Sequence, residues 1–211
     1  TYEVVARTTW PATMAYVSCD PKYFELFMPR FLESLVDAGA EAGVHVHLLD
    51  GSQEDWNRLA NSLRSFEQVS VSMTAEGGER RNFLGQAARY YYHAARYVRF
   101  YQHLRRNLRP AWMMDVDLVA ESDPTPMFEL LESHDFAGSS RAAVLEPWGK
   151  FQAGLVGIAP TIGGLRYLRL VAAYISHWFQ KGNLQWGIDQ LALFAAYFYL
   201  EQRGVAPDTR F

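Results

Sequence analysis

Apolar positions along the chain switch between two periods. Short runs rich in Val, Leu, Ala and Met are separated by stretches in which apolar residues recur at three- and four-residue spacing. That alternation predicts a layered α/β domain with a mostly parallel central sheet. Residues 14–18 read as the first strand. Asp20 then fits a helix N-cap with Pro21 in the first helical position. The stripe Phe24, Phe27, Met28, Phe31, Leu32, Leu35, Val36 predicts the helix itself, closed by the glycines of 39–43. Residues 44–49 form a second strand, Ser52 caps a helix reaching about residue 66, and 69–73 form a weaker third strand. A polar loop over 76–82 leads into a long helix over 84–106. Residues 111–114 are a short buried strand, followed by a helix at 127–132, strands at 135–139 and 152–159, and helices at 162–179 and 185–202. No internal repeat or linker interrupts the pattern, which predicts one domain over 1–211.

Composition narrows the class. The 211 residues suffice for one sizeable core, and 49% apolar with 20% charged residues is ordinary for a globular domain. A formal net charge of −3 gives no bulk signal for nucleic acid or an anionic membrane. The single cysteine, Cys19, excludes an internal disulfide and fits a reducing compartment. The most apolar late stretch, 188–200, is too short to span a bilayer and carries Asp189. A cytoplasmic protein is expected, or one held at a membrane through a segment outside the chain. The absence of an initial Met and the stop at Phe211 suggest a domain trimmed at its C-terminus.

The candidate chemistry begins at Asp115-Val116-Asp117. Two carboxylates one residue apart, at the end of a buried strand, can turn toward one hard cation. Mg2+ or Mn2+ suits such oxygen ligands and keeps positions for water and phosphate. In open α/β sheets, ligands gather at the carboxyl ends of the strands. The plainer reading is two loop acids, one capping and one solvated. Arg96 and Arg99 lie one turn apart on the preceding helix, and the guanidinium fork suits diphosphate oxygens. Arg99 is the nearer to Asp115 in sequence and is the expected phosphate ligand. His45 and His47 alternate on one strand and share a face, but without a third ligand at suitable spacing they do not predict zinc.

In order along the chain stand Cys19-Asp20-Pro21-Lys22-Tyr23 with Ser34-Leu35 downstream, the arginine-bearing run Ala95 to Phe100, Asp115-Val116-Asp117, Phe151-Gln152-Ala153-Gly154 and Gly187-Ile188-Asp189-Gln190. Together they resemble the GT-A-fold glycosyltransferases, in particular the family 8 group that includes glycogenin and bacterial galactosyltransferases. The resemblance implies a three-layer GT-A-like domain that moves a sugar from a nucleotide-diphosphate donor, of the UDP-sugar kind, with retention. It implies Asp115 and Asp117 as metal ligands, and Asp20 and Tyr23 at the nucleotide base. Arg96 or Arg99 would sit at the phosphates and Gln152 beside the sugar. Asp189 and Gln190 would work at the acceptor side, Asp189 as general base or ion-stabilising group. The acceptor, whether glycan, lipid or protein, is not indicated. Two departures stand out. The family's Asn after the Phe is Gln152 here, and its metal-completing C-terminal histidine has no match after Asp189, the last histidine being His177. The rival readings are a non-catalytic nucleotide-binding or interaction module of degenerate transferase type, and a sugar-nucleotidyltransferase. The latter expects a Gly-x-Gly-Thr-Arg loop where Ser18-Cys19-Asp20-Pro21 stands.

Overall fold

The computed structural model describes residues 2–5, 14–77, 88–141 and 143–211. Its elements are β1 (Tyr2–Val5), β2 (Met14–Cys19), α1 (Pro21–Asp37), β3 (Gly43–Leu49), α2 (Gln53–Leu63), β4 (Ser70–Glu76), α3 (Ala88–Asn107) and β5 (Ala111–Met114). These are followed by α4 (Thr125–Ser133), β6 (Phe136–Ser140), α5 (Pro147–Lys150), β7 (Phe151–Ile158), α6 (Ile162–Gln180), α7 (Ile188–Glu201) and β8 (Thr209–Arg210).

One eight-stranded sheet runs β1-β4-β3-β2-β5-β7-β6-β8. The block β4-β3-β2-β5 is parallel throughout, and β6 pairs β8 in parallel. The β1–β4, β5–β7 and β6–β7 pairings are antiparallel. A parallel block needs helical crossovers, which cover both faces and explain its strands' low exposure. On one face, Val17, Val46, Met73 and Met114 pack with Phe24, Leu32 and Leu63 of α1 and α2. On the other, Met113, Val156 and Ile158 pack with Tyr97, Phe100, Leu168 and Leu193 of α3, α6 and α7. The expected three-layer α/β architecture with a mostly parallel sheet is therefore observed.

Local chemistry sets the helix ends. The Asp20 side chain caps α1 by accepting from the Tyr23 N–H at 2.8 Å. Gly39, at φ +72°, ends α1 in a Schellman turn: Ala40 N–H donates to Leu35 O at 2.9 Å and Gly39 N–H to Val36 O at 3.0 Å. Ser52 and Asp55 form a capping box on α2. That helix stops at Leu63, short of residue 66, because residues 64–66 tighten into i→i−3 bonds. The last helix starts at Ile188 instead of 185, since Gly187 at φ +77° sets its entry. Residues 84–87 of the expected long helix and 78–82 of the polar loop lie outside the described residues. The strands β1 and β8 and the single turn α5 were not expected; each is too short to show a period.

Candidate active site

The last hydrogen bonds of β5 aim the two carboxylates. Ala111, Trp112, Met113 and Met114 are buried between β2 and β7, and Asp115 N–H extends the ladder by donating to Gly154 O at 2.8 Å. Leu118 N–H then donates to Asp115 O at 3.2 Å, turning the chain out of the sheet. Val116 is buried in the core between the two acids and anchors the turn. Asp115 is left half-buried and Asp117 exposed, both on the wall of one cavity of about 360 Å³. Ser18, Cys19, Asp20 and Tyr23, at the carboxyl end of β2, and Arg89, Tyr92 and Arg96, on α3, line the same cavity.

Behind this cavity lies a second one of about 160 Å³, walled by Tyr90, Gly154, Trp186, Asp189 and Gln190. His93, Arg96 and Asp115 line both. Arg96 is the partition. Its guanidinium is buried, ion-paired to Asp115 Oδ1, and donates to Ala153 O at 3.0 Å and Asp189 Oδ2 at 3.3 Å. Burial by itself would lower the Arg96 pKa, but the Asp115 carboxylate, with smaller contributions from Tyr97 and Asp189, raises it, so the cation is locked in. Asp189 stands in the first turn of α7, where the helix N-terminus favours an anion, and its Oδ1 accepts from the Gln190 N–H at 2.9 Å. Tyr97 Oη donates to Ala153 O at 2.8 Å, fixing the carbonyl that Arg96 also uses.

The expected residues thus divide. Asp20, Tyr23, Asp115 and Asp117 share the larger cavity; Asp189 and Gln190 share the smaller one with Asp115. Asp20 also caps α1, so its plainer role holds alongside its place in the wall. Tyr23 is 49% exposed, lies with its ring centroid 5.5 Å from that of Phe27, and lines the cavity. Two residues lie elsewhere. Arg99 points one turn away from Arg96, ion-pairs with Glu76 and donates to Gln102 Oε1 at 2.9 Å, in a different cavity. Arg96, not Arg99, is the arginine at Asp115. Gln152 Oε1 accepts from Arg141 Nε at 3.0 Å and Nη2 at 3.1 Å, and Gln152 lines neither cavity.

Among the wall residues that the sequence does not single out is His93. It faces both cavities and meets Trp186 edge-on at 5.2 Å. Desolvation by the cleft walls, then the Arg96 charge, hold it below the usual histidine range, against the pull of Asp189, Asp115 and Asp117. The signal was its position three residues before Arg96, on the same helix face.

The carboxylate pair fits a divalent cation in part. Asp115 Oδ1 is held by Arg96, while a Cβ placed on Gly154 would come within 2.5 Å of Asp115 Oδ2, so only glycine leaves that oxygen its space. Asp115 and Asp117 supply hard oxygen donors of the kind Mg2+ and Mn2+ prefer. No group of three His, Cys, Asp or Glu among the described residues could hold a metal alone, so water and ligand phosphate oxygens would complete the shell.

No family model and no curated protein matches the chain. Solved structures do. The glycosyltransferase GlyE of Streptococcus pneumoniae TIGR4 matches at a TM-score of 0.54 and 21% identity, over 85% of this chain. The galactosyltransferase LgtC, solved with donor and acceptor sugar analogues, matches at 0.54 and 14% over 86%, and mouse xyloside xylosyltransferase 1 at 0.53 and 9% over 94%. The chain has the GT-A glycosyltransferase fold. It spans 42% of the GlyE chain, 70% of LgtC and 83% of the xylosyltransferase. In this GT-A chain the double-aspartate turn closes the central strand β5, and both cavities open at the carboxyl edge of the parallel block, where ligands of open α/β sheets bind.

Proposed function

We propose that the chain transfers a sugar from a nucleotide-diphosphate donor, of the UDP-sugar kind, to an acceptor hydroxyl. One observation carries this reading. The two acids that end β5 share a cavity with a base-sized aromatic platform, and a single buried arginine ties one of them to a carboxylate in the adjoining cavity.

The larger cavity takes the nucleotide. Tyr23 stacks on the base and Asp20 accepts from a base or ribose donor. Arg96 stands at the junction where the diphosphate meets the sugar, with Arg89 on the same helix at the outer wall. Asp115 and Asp117 would hold Mn2+ or Mg2+, which supplies neutralisation of the departing diphosphate. The smaller cavity takes the sugar: Gln190 positions its hydroxyls, and Asp189, beside Arg96 at the α7 N-terminus, stabilises positive charge developing at the anomeric carbon. The resemblance to retaining enzymes favours that role over general base. Arg99 and Gln152 receive no part, since they face other partners.

The reading is tested by following UDP release from a panel of UDP-sugars in Mn2+, in the wild type and Asp115→Ala. Release from at least one donor, lost in the variant, is expected. Retention of both nucleotide binding and turnover in Asp115→Ala overturns it. UDP binding without turnover of any donor assigns the chain to a non-catalytic nucleotide-binding module.

A further inference from the structure

The largest of the described cavities, about 450 Å³, shares no lining residue with the cleft above. It lies between the second half of α3 and the face of β2, β3 and β4 that α3 covers. Alternation along those strands sends Val44, Val46, Val71 and Met73 into the opposite core, and leaves Tyr16, His45, His47, Ser72 and Thr74 facing α3. From α3 come Arg99, His103 and Arg106, with Arg109 beyond its end and Glu76 at the end of β4. A buried sheet face built of imidazoles and hydroxyls is costly to fold, and an apolar face would serve the core better.

We propose that this cavity is a binding site for a phosphoryl group, carried by a small phosphate monoester or as free phosphate.

The charges have the right sign. Among the described residues, Arg99 engages Glu76, and Arg106 brings a further guanidinium to the same cavity. That fork, beside imidazoles and hydroxyls, suits a tetrahedral oxyanion. The Tyr16 hydroxyl is fully buried, has no hydrogen-bond partner among the described residues, and lines the cavity. Burial raises its pKa well above the usual tyrosine value, so it is a proton donor in waiting. Ser72 Oγ lies 2.6 Å from His45 Nδ1; Thr74 Oγ1 lies 2.9 Å from His45 Nε2 and 2.7 Å from His47 Nδ1. That chain is satisfied with His45 neutral and equally with both its nitrogens protonated. What opposes protonation is desolvation, then the neighbouring His103 and His47. His103, whose ring stands 4.0 Å from His45, is held down to about 4 by desolvation and by Arg106. A bound dianion supplies the missing countercharge, so binding draws protons onto this pair and strengthens as pH falls. The rings of Tyr16, His45 and His103, within 5.5 Å of one another, form an aromatic wall for the organic part of an ester.

The test follows the histidine-ring NMR signals of the full chain at pH 6 and pH 8, with inorganic phosphate, phenyl phosphate, and chloride or acetate at matched ionic strength. Expected are saturable shifts of the His45 and His103 signals with phosphate, at least several-fold tighter at pH 6, and a raised His103 pKa. Tyr16→Phe and Arg106→Gln should each weaken binding several-fold while leaving the resting spectrum folded. Tighter binding of phenyl phosphate marks an ester site; equal binding marks a site for free phosphate. Shifts no larger than with chloride, or binding indifferent to both substitutions, overturn the proposal.

Discussion

Arg96 and Arg99 differ by three positions on one helix, and their fates show what a single residue's surroundings decide. Sequence distance favoured Arg99, but rotation of α3 against the sheet buries Arg96 between Asp115 and Asp189 and turns Arg99 to Glu76. No periodicity separates the two, because both lie near the boundary between buried and exposed faces; only the partners across the sheet do. The two aspartates of the 115–117 turn, in contrast, were legible, since a buried apolar strand that stops at an acid must deliver it to the strand's end. Arg96→Ala is expected to cost ~3–5 kcal/mol of stability, because it leaves the nearly buried Asp189 without its counter-charge. Under conditions where it remains folded, it also weakens UDP binding. Arg99→Ala should bind UDP within about twofold of the wild type, because Arg99 lies outside the cleft. Chemical denaturation and UDP titration of the two variants check this, and equal losses of UDP affinity would refute the assignment.

At the level of elements, local signals and tertiary pairing divide the credit. The caps at Asp20 and Ser52 and the glycine stop at Gly39 were written in residue types whose mechanism is local, and the structure uses all three. The strands β1 and β8 exist only through pairing, with β4 and β6, and carry too few residues to show a pattern. Glycine makes an element-level prediction at the start of α6. A Cβ on Gly164 would lie 2.1 Å from Ala159 O and 2.8 Å from Asp135 O, both backbone atoms that side-chain motion cannot relieve. Gly164→Ala should therefore destabilise by at least ~1–3 kcal/mol. Gly182, at φ +68° with open space around it, carries only the left-handed penalty of ~1–2 kcal/mol. A thermal melt in which Gly182→Ala falls further than Gly164→Ala would contradict this reading of the β7–α6 junction.

On the scale of the whole molecule, the sheet separates an apolar layer under α1 and α2 from a mixed layer under α3, α6 and α7, and His45, His47 and His103 sit in the second. Their titration gives the molecule a pH dependence of definite sign. His45 is held below the ordinary histidine pKa, and His103 at about 4, both first by desolvation. The unfolded chain, with histidines near 6.5, therefore binds more protons than the native state between those values. Stability is full above about pH 6.5 and falls as pH drops from there toward 4. Histidine alternation on β3 was visible in the sequence, but its partner His103 lies 58 positions away, and only the packing of α3 brings the rings together. Melting temperatures between pH 7.5 and 4.5 should fall more steeply for the wild type than for His103→Gln; parallel curves would contradict the account.

The central claim concerns the carboxyl edge of the sheet, where Asp115 and Asp117 face the cavity that also holds Asp20 and Tyr23. Its most direct test is calorimetric titration of UDP into the chain, in Mn2+ and in EDTA, for the wild type and Asp117→Ala. Saturable binding in Mn2+, lost on chelation and weakened at least tenfold in the variant, is the predicted result. Binding unchanged by both, or absent from the wild type in Mn2+, would contradict it.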